Sequence, residues 1–550
     1  MKTLRRTVPN TVSPFLILPA VTLACLLPFI GKAFHIDDPL FVWCARHIQS
    51  APFNFYGFNL NWDGCEKPMA AVMQNPPLTA YYLALVGLVF GWSEMALHAG
   101  FLLPALAVIL GTYCLARNFC SHPFAAALAV VATPAFLVAS TSVMCDTMMV
   151  AFWVWAMFFW IEGLKQNAPV KLCLAGLLIA ACGLTKYFGF CLIPLLLVYS
   201  LLERRPVSRW IACLALPVVV IILYQWMTRR LYGTGLMLNA VSYATHLRIA
   251  GGLGLKVLTG LAFSGGCMVI LLLAAPLLWG RRELAAGVAA MLLIGLLVVA
   301  MKKVGVFPVM EAAGRIKWLF VTQFALFAVA GVSLVLLAVA DLLAQKTPAS
   351  VLLFLWVVGT FVFACAVNWT VSGRNILPML PAVSLLLIRR LEARELFRGR
   401  DSVRRLLGPL TASLTIALFV TQADYRLADS ARAAASFMSR KLGAGANTVG
   451  FEGHWGFQFY MEMFGAKALD KQNLRLVADE AIVIPLGHGY LFRLPEDSVV
   501  PWFTHKMQAS EWVTTMNVSS GAGYYSDAWG PLPFVFGPVP PDVYFVCRVR

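Results

Sequence analysis

The stretch PFLILPAVTLACLLPFIGKAFHIDDP, residues 14–39, decides how the rest of the chain is read. The apolar run from Pro14 to Ile30 carries the chain across a bilayer and delivers His35-Ile36-Asp37-Asp38-Pro39 to the far surface. Paired carboxylates at a membrane surface, beside a Pro able to start a helix, mark a site. The loop then continues to Pro77, through Trp62-Asp63-Gly64-Cys65-Glu66-Lys67-Pro68 and Asn75-Pro76-Pro77-Leu78. Its polar, aromatic and Pro-rich composition between apolar flanks suggests a partly helical cap lying along the lipid surface.

Of 550 residues, 60% are hydrophobic and 13% charged, against about 25% charged in soluble domains. This is the composition of a polytopic membrane protein. The formal net charge of +17 comes in short clusters at segment ends. That excludes nucleic acid as a partner, because such a binder needs a broad basic face, and it fits the excess of Lys and Arg on cytoplasmic loops. Lys2, Arg5 and Arg6 precede the first apolar run without a small-residue cleavage site, so an uncleaved first span is expected. The 13 Cys lie mostly in apolar segments as small hydrophobes. Cys44 and Cys65 share the first loop and are able to pair in an oxidising compartment.

Placing the clusters Arg204-Arg205, Arg281-Arg282, Arg389-Arg390 and Arg394–Arg405 inside gives about 13 spans between residue 14 and residue 422. The chain divides into a membrane domain, 1–422, with its outer loop at 35–77, and an external tail, 423–550. In the tail, Thr448–Phe451, Ala481–Ile484 and Val543–Val546 read as strands and Phe457–Phe464 as a helix, which makes a small α/β domain. Internal repeats of the kind used by carriers are not evident in the sequence.

In this topology Asp37, Asp38, Glu66, Lys67, Asp146, Lys186, Arg248 and Arg374 fall on one face. Such a set suits a reaction at an anionic lipid headgroup. A carboxylate takes the proton of an attacking hydroxyl, and Lys or Arg neutralises phosphate as it leaves. A residue before Pro is pushed towards extended backbone, so Asp38 is suited to cap the helix starting at Pro39, leaving Asp37 to face a cavity. Asp146 has two readings, a cap for the helix at Thr147 or a site carboxylate. Lys186, Arg248 and Arg374 have a bland alternative as interfacial side chains reaching to headgroups.

The Asp37-Asp38 pair, Asn75-Pro76-Pro77-Leu78 with Tyr81-Tyr82, Asp146-Thr147, Leu184-Thr185-Lys186-Tyr187 and Arg374–Pro381 together resemble the landmarks of a known group. They are similar to bacterial membrane glycosyltransferases related to the dolichyl-phosphate-mannose protein mannosyltransferases and the aminoarabinose transferase of lipid A, in the GT-C fold class. The resemblance covers roughly residues 14–390. It implies a polyprenyl-phosphate sugar donor, a lipid or protein acceptor, transfer with inversion on the periplasmic side of the inner membrane, and an acid of the first outer loop as base. By the same resemblance, the catalytic candidates are Asp37, Asp38 and Asp146. Lys67, Asn75, Tyr82, Lys186, Arg248 and Arg374 are the substrate and phosphate candidates. Lys67, in Glu66-Lys67-Pro68, takes the place of a phosphate ligand displaced along the loop, since Asn75 stands where the family has His or Lys. No cofactor is required. A divalent metal between Asp37 and Asp146 is chemically open. The rival readings are a lipid carrier or flippase, whose charges belong near mid-span, and a scaffold with a sensor tail.

Overall fold

The computed structural model describes residues 13–203, 209–246, 252–304, 307–311, 313–396, 402–443, 449–487, 489 and 491–550. The chain is mainly helical. Among the described residues, seven helices are long and apolar enough to cross a membrane, or eight if the bent pair Pro123–Val131 and Pro134–Ser140 counts as one span. Other crossings read from hydropathy fall on the shorter apolar helices Pro14–Phe29, Pro169–Thr185 and Tyr187–Leu202, while Leu78–Phe90 is a short helix leading to the span Glu94–Ala116. The 64° bend in the pair has a local cause. Pro134 has no N–H to continue the first helix, and Thr133 starts the second by accepting from the Phe136 N–H at 3.3 Å. Ser93 and Thr347 cap their helices in the same way, at 3.2 Å each.

Burial sorts the spans. Cys145–Gln166 is the axis of the bundle, with 72% of its apolar window buried, whereas Arg281–Ala300 has 6% buried and a mean hydropathy of 2.4. A helix so apolar and so unpacked is stable only where lipid covers it.

The loop after the first helix folds as expected into a cap. The helix Asp38–Ser50 is followed by an antiparallel hairpin pairing Asn59–Asn61 with Glu66–Pro68. Cys44 and Cys65 do not pair. Both are buried free thiols, Cys44 on the packed face of the helix and Cys65 beside the hairpin turn, so the expected disulfide is absent.

The helix Ser402–Leu442 runs through position 422 without interruption and feeds the C-terminal sheet. That sheet orders Lys467–Ala468, Val449–Phe451, Ala481–Pro485, Asp542–Val549 and Val499–Met507. Its first three strands are parallel, and the helix Trp455–Met463 makes the crossover between Val449–Phe451 and Lys467–Ala468. The remaining two pairings are antiparallel. The three strands and one helix read from the sequence are all present.

A fully buried ion pair locks the two ends of the chain together. Lys32, just past the first span, donates to Asp424 at 2.5 Å, with both side chains at 0% exposure. Asp424 also accepts from Thr515 at 2.6 Å and Tyr525 at 2.8 Å. Neither charge has water to fall back on. Removing one partner of a buried pair strands the other, at about 3–5 kcal/mol. Lys32→Met should therefore collapse the thermal midpoint in detergent, while Lys32→Met with Asp424→Leu should recover much of it. A double variant no better than the single one would show that the pair does not act as a unit.

Candidate active site

One cavity of about 700 Å³ gathers most of the residues singled out by the sequence. Its walls are Asp37 and the hairpin of the outer loop, the first turn of Cys145–Gln166, the turn at Lys186–Phe188, the end of Leu236–His246, the segment 367–375, and side chains of the C-terminal region.

Two ion pairs stand in it. Arg374 donates to Asp37 Oδ2 at 2.9 Å, with side chains 19% and 26% exposed. Lys186 donates to Asp146 Oδ1 at 2.7 Å and to Asn375 Oδ1 at 3.1 Å. The second pair is the more enclosed, with Asp146 3% exposed. Asp146 Oδ2 lies buried with no hydrogen-bond partner among the described residues. The backbone explains how the two pairs meet. Ser372 accepts from the Asn375 N–H at 3.3 Å, starting the turn Gly373–Ile376 that carries Arg374 and Asn375 side by side. Burial works against the Arg374 charge, but Asp37 and Asp146 together more than offset it and hold the guanidinium above its ordinary range. Its plane also lies 5.6 Å from the Tyr525 ring. Asp146 is the second residue of its helix and spends its carboxylate on Lys186 rather than on a cap.

Asp38 corrects the sequence reading. It is not the cap of the helix it begins, since the residue before that helix is Asp37 and no side chain caps it. Instead Asp38 is fully buried, and its two oxygens accept from the His35 and Val143 N–H groups at 2.9 Å each. It does not line the cavity. The proximity of Pro39 constrains its backbone, but the tertiary partner Val143 captures the carboxylate. Burial pushes it up to about 7, against the pull of Lys32 and the two N–H donors. A buried carboxyl with both oxygens occupied cannot reach a substrate; it ties the first outer turn to the turn before Cys145–Gln166.

Lys67 lines the cavity rim, 43% exposed, and pairs with Asp63 at 3.3 Å. Asn75 also lines the cavity, while its carbonyl accepts from Tyr56 at 2.7 Å. Tyr82 is not at the site. Its hydroxyl donates to the Gly100 carbonyl at 2.5 Å, pinning Leu78–Phe90 to Glu94–Ala116. The helical spacing that puts Tyr81 and Tyr82 on neighbouring faces sends Tyr81 to the Pro52 carbonyl instead. Arg248 lies outside the described residues.

For a divalent cation, the chemistry of the donors is the test. Asp37 and Asp146 are each held by a cationic side chain, and no group of three or more His, Cys, Asp or Glu converges among the described residues. Among the described residues, these donors do not assemble a metal site.

Nothing in the sequence marks Asn375 as a partner of Lys186, or Tyr525 as a bridge from Asp424 to the site. Lys32 and Asp424 carried a signal: ionisable residues inside or bordering apolar spans are costly and serve a purpose. At the opposite end, Arg389 grips Asp341 at 2.8 and 3.1 Å, and Glu392 accepts from His122 at 2.8 Å. Of the basic positions assigned to the inner face, Arg281, Arg282, Arg389, Arg390 and Arg394 do not line the cavity, and Arg204, Arg205, Arg398 and Arg400 lie outside the described residues.

Residues 74–228 match a family model described as dolichyl-phosphate-mannose-protein mannosyltransferase, in keeping with the landmarks at Asn75–Leu78, Asp146-Thr147 and Leu184–Tyr187. No curated protein matches the sequence. Among solved structures, the chain is similar to an oligosaccharyltransferase of Archaeoglobus fulgidus tethered to an acceptor peptide, at 12% identity and a TM-score of 0.49 over 83% of this chain and 63% of the other. The chain therefore spans under two thirds of that protein's length. It is also similar to ArnT of Cupriavidus metallidurans, at 16% identity, a TM-score of 0.43 and 86% and 92% coverage, a protein also determined with undecaprenyl phosphate bound. A third is the mycobacterial arabinofuranosyltransferase AftD, at 12% identity, a TM-score of 0.40 and 98% and 40% coverage.

The arrangement at Asp38 yields an expectation. The native carboxyl titrates near 7 and an unfolded one near about 4. Between those values the folded protein holds the extra proton, so stability falls as pH rises through that window. Asp38→Asn removes the titration and turns an amide N–H against one backbone donor, which costs about 1–3 kcal/mol. Melting in detergent from pH 5 to pH 7.5 should show a falling midpoint in the parent and a lower, flatter profile in the variant. A variant as stable as the parent at pH 5 would refute the role given to Asp38.

Proposed function

We propose that this chain is a GT-C membrane glycosyltransferase that moves a sugar from a polyprenyl-phosphate donor to a hydroxyl of a lipid or protein acceptor, on the periplasmic face of the inner membrane. The observation that carries the reading is the pair of carboxylate–cation contacts, Asp37–Arg374 and Asp146–Lys186, facing one cavity between the outer loop and the C-terminal region. The match of residues 74–228 to a family named for a lipid-phosphate sugar donor supports it.

The chemistry follows from the donors. The acceptor oxygen attacks C1 of the sugar from the side opposite the phosphate, the C1–O bond to phosphate breaks, and configuration inverts. Asp37, the more open of the two carboxylates, takes the hydroxyl proton. Arg374 has five N–H donors in a planar fork, enough to hold Asp37 in place and meet a phosphate oxygen together. Lys186 has three donors, two of them turned to Asp146 and Asn375, and the third suits phosphate. As the bond to C1 breaks, charge grows on the phosphate, and these cations are already in position, so little reorganisation is needed. Lys67, loosely tied at the rim, meets the donor on entry. Asp38 leaves the catalytic set, and Tyr82 the binding set.

Asp37→Asn keeps the shape but cannot accept the proton, so turnover should drop at least about 100-fold, the range for a missing general base, with the variant folded in detergent. Arg374→Ala and Lys186→Ala should each lose about 1.5–3 kcal/mol of donor interaction, the value of a hydrogen bond to a charged group. Sugar transfer from lipid-linked donors, with loss of product measured by mass spectrometry, checks both. An active Asp37→Asn would sink the base assignment.

Sidedness has its own measurement. Alkaline phosphatase fused after residue 430 should be active and fused near Arg398 inactive, since the arginine-rich segment stays inside. The reverse pattern would place the cavity on the wrong side for a periplasmic reaction.

A further inference from the structure

Part of the cavity wall is aromatic and comes from the C-terminal region. Trp455 and Trp529 both line it, with ring centroids 5.0 Å apart and planes at 60°. Each is only partly buried. Beside them His454 lies against Trp62 of the outer loop, with centroids 5.8 Å apart and planes at 31°. The two indoles thus lean on each other and both contribute to the cavity lining.

The backbone holds this wall at a cost. Trp455 has φ of +63°, in the left-handed region that a bulky side chain rarely adopts. Gly453, two residues earlier, has φ of +90°. Gly456 presses on the first outer turn so closely that a Cβ there would sit 2.1 Å from the Phe34 carbonyl oxygen. The start of the helix Trp455–Met463 is therefore wedged against the residues that lead into Asp37. Strain of this kind persists where the surroundings over-determine it, characteristically at ligand sites.

The chemistry that fits is a sugar ring. One face of a pyranose or furanose carries C–H bonds with slight positive charge, and the face of an indole carries the negative side of its quadrupole. A mostly apolar wall opposite a few placed charges is also the usual build of a small-ligand pocket. We propose that Trp455 and Trp529 form a stacking platform for a sugar ring, either that of the lipid-linked donor or one belonging to the acceptor, presented to Asp37 across the cavity. This rests on the glycosyltransferase reading and adds to it a role for the C-terminal region as a source of sugar selectivity.

The test uses the full-length protein in detergent, with binding read calorimetrically for undecaprenyl phosphate, for undecaprenyl-phosphate-linked hexoses and pentoses, and for a panel of methyl glycosides. Trp455→Gly removes the ring and relieves the positive φ, Trp455→Phe keeps a ring, and Trp529→Ala tests the second face independently. If the platform holds the donor sugar, Trp455→Gly and Trp529→Ala lose about tenfold in affinity for a sugar-bearing lipid, or about 1.4 kcal/mol, while sugar-free undecaprenyl phosphate binds as in the parent. If it holds the acceptor sugar, both lipids bind as in the parent and methyl glycoside binding is lost. In either case Trp455→Phe retains most of the effect, and Trp455→Gly melts no lower than Trp529→Ala. Equal losses for the sugar-free and sugar-bearing lipids, or parent-like binding of every probe in both ring-deleted variants, overturn the platform. A parent that transfers no sugar from any lipid-linked donor overturns instead the glycosyltransferase reading on which it stands.

Discussion

The contact on which the rest depends is the buried bond between Lys32 and Asp424. It joins the exit of the first helix to the long helix Ser402–Leu442, and through Tyr525 and Thr515 it reaches the C-terminal region. Charges in an apolar interior are tolerated only when each polar atom has a partner. Here four groups converge on one carboxylate's two oxygens or on its lysine, including the hydroxyl of Thr141 at 3.5 Å. Tyr525 then continues the line outward: its hydroxyl is held by Asp424 and its ring lies under Arg374. The guanidinium that orients Asp37 is thus placed from below by a network beginning some 340 residues away in sequence, counting from Arg374 back to Lys32.

What the sequence showed clearly was whatever rests on local pattern. The strands at Val449–Phe451, Ala481–Pro485 and Asp542–Val549 follow from periodicity, and these appear where expected. Asp37, Asp146, Lys186 and Arg374 were legible because charged residues at span ends on one side are few. The roles within Asp37-Asp38 were only half legible. Pro39 does set a helix start, but which oxygen meets which N–H is decided by Val143, 105 residues on, and no local rule carries that. Tyr82 shows the same limit: an aromatic hydroxyl beside a motif looks like a ligand until a carbonyl one helix away claims it.

Span counting shows a different limit. Hydropathy reads any long apolar run as a crossing, yet helices such as Pro14–Leu26, with 13 residues, are shorter than the roughly 20 that a core of about 30 Å requires. Such pieces pack beside full spans and bring loop residues into the cavity without each crossing unaided. The C-terminal region was legible as strands and one helix, but not as a wall of the site. That needed the wedge of Gly456 against Phe34, a close approach that only the absence of a side chain allows.

The helix Ser402–Leu442 has 41 residues, and the one proline inside it is Pro409, near its start. At about 1.5 Å per residue it is about 60 Å long, twice the thickness of a hydrocarbon core. Half of it therefore exceeds what a hydrocarbon core spans, and its far end leads into the C-terminal sheet. Because no proline follows Pro409 inside it, the helix holds Asp424 and Leu442 at one fixed spacing, so the lock at Lys32 and the base of the sheet move as one piece.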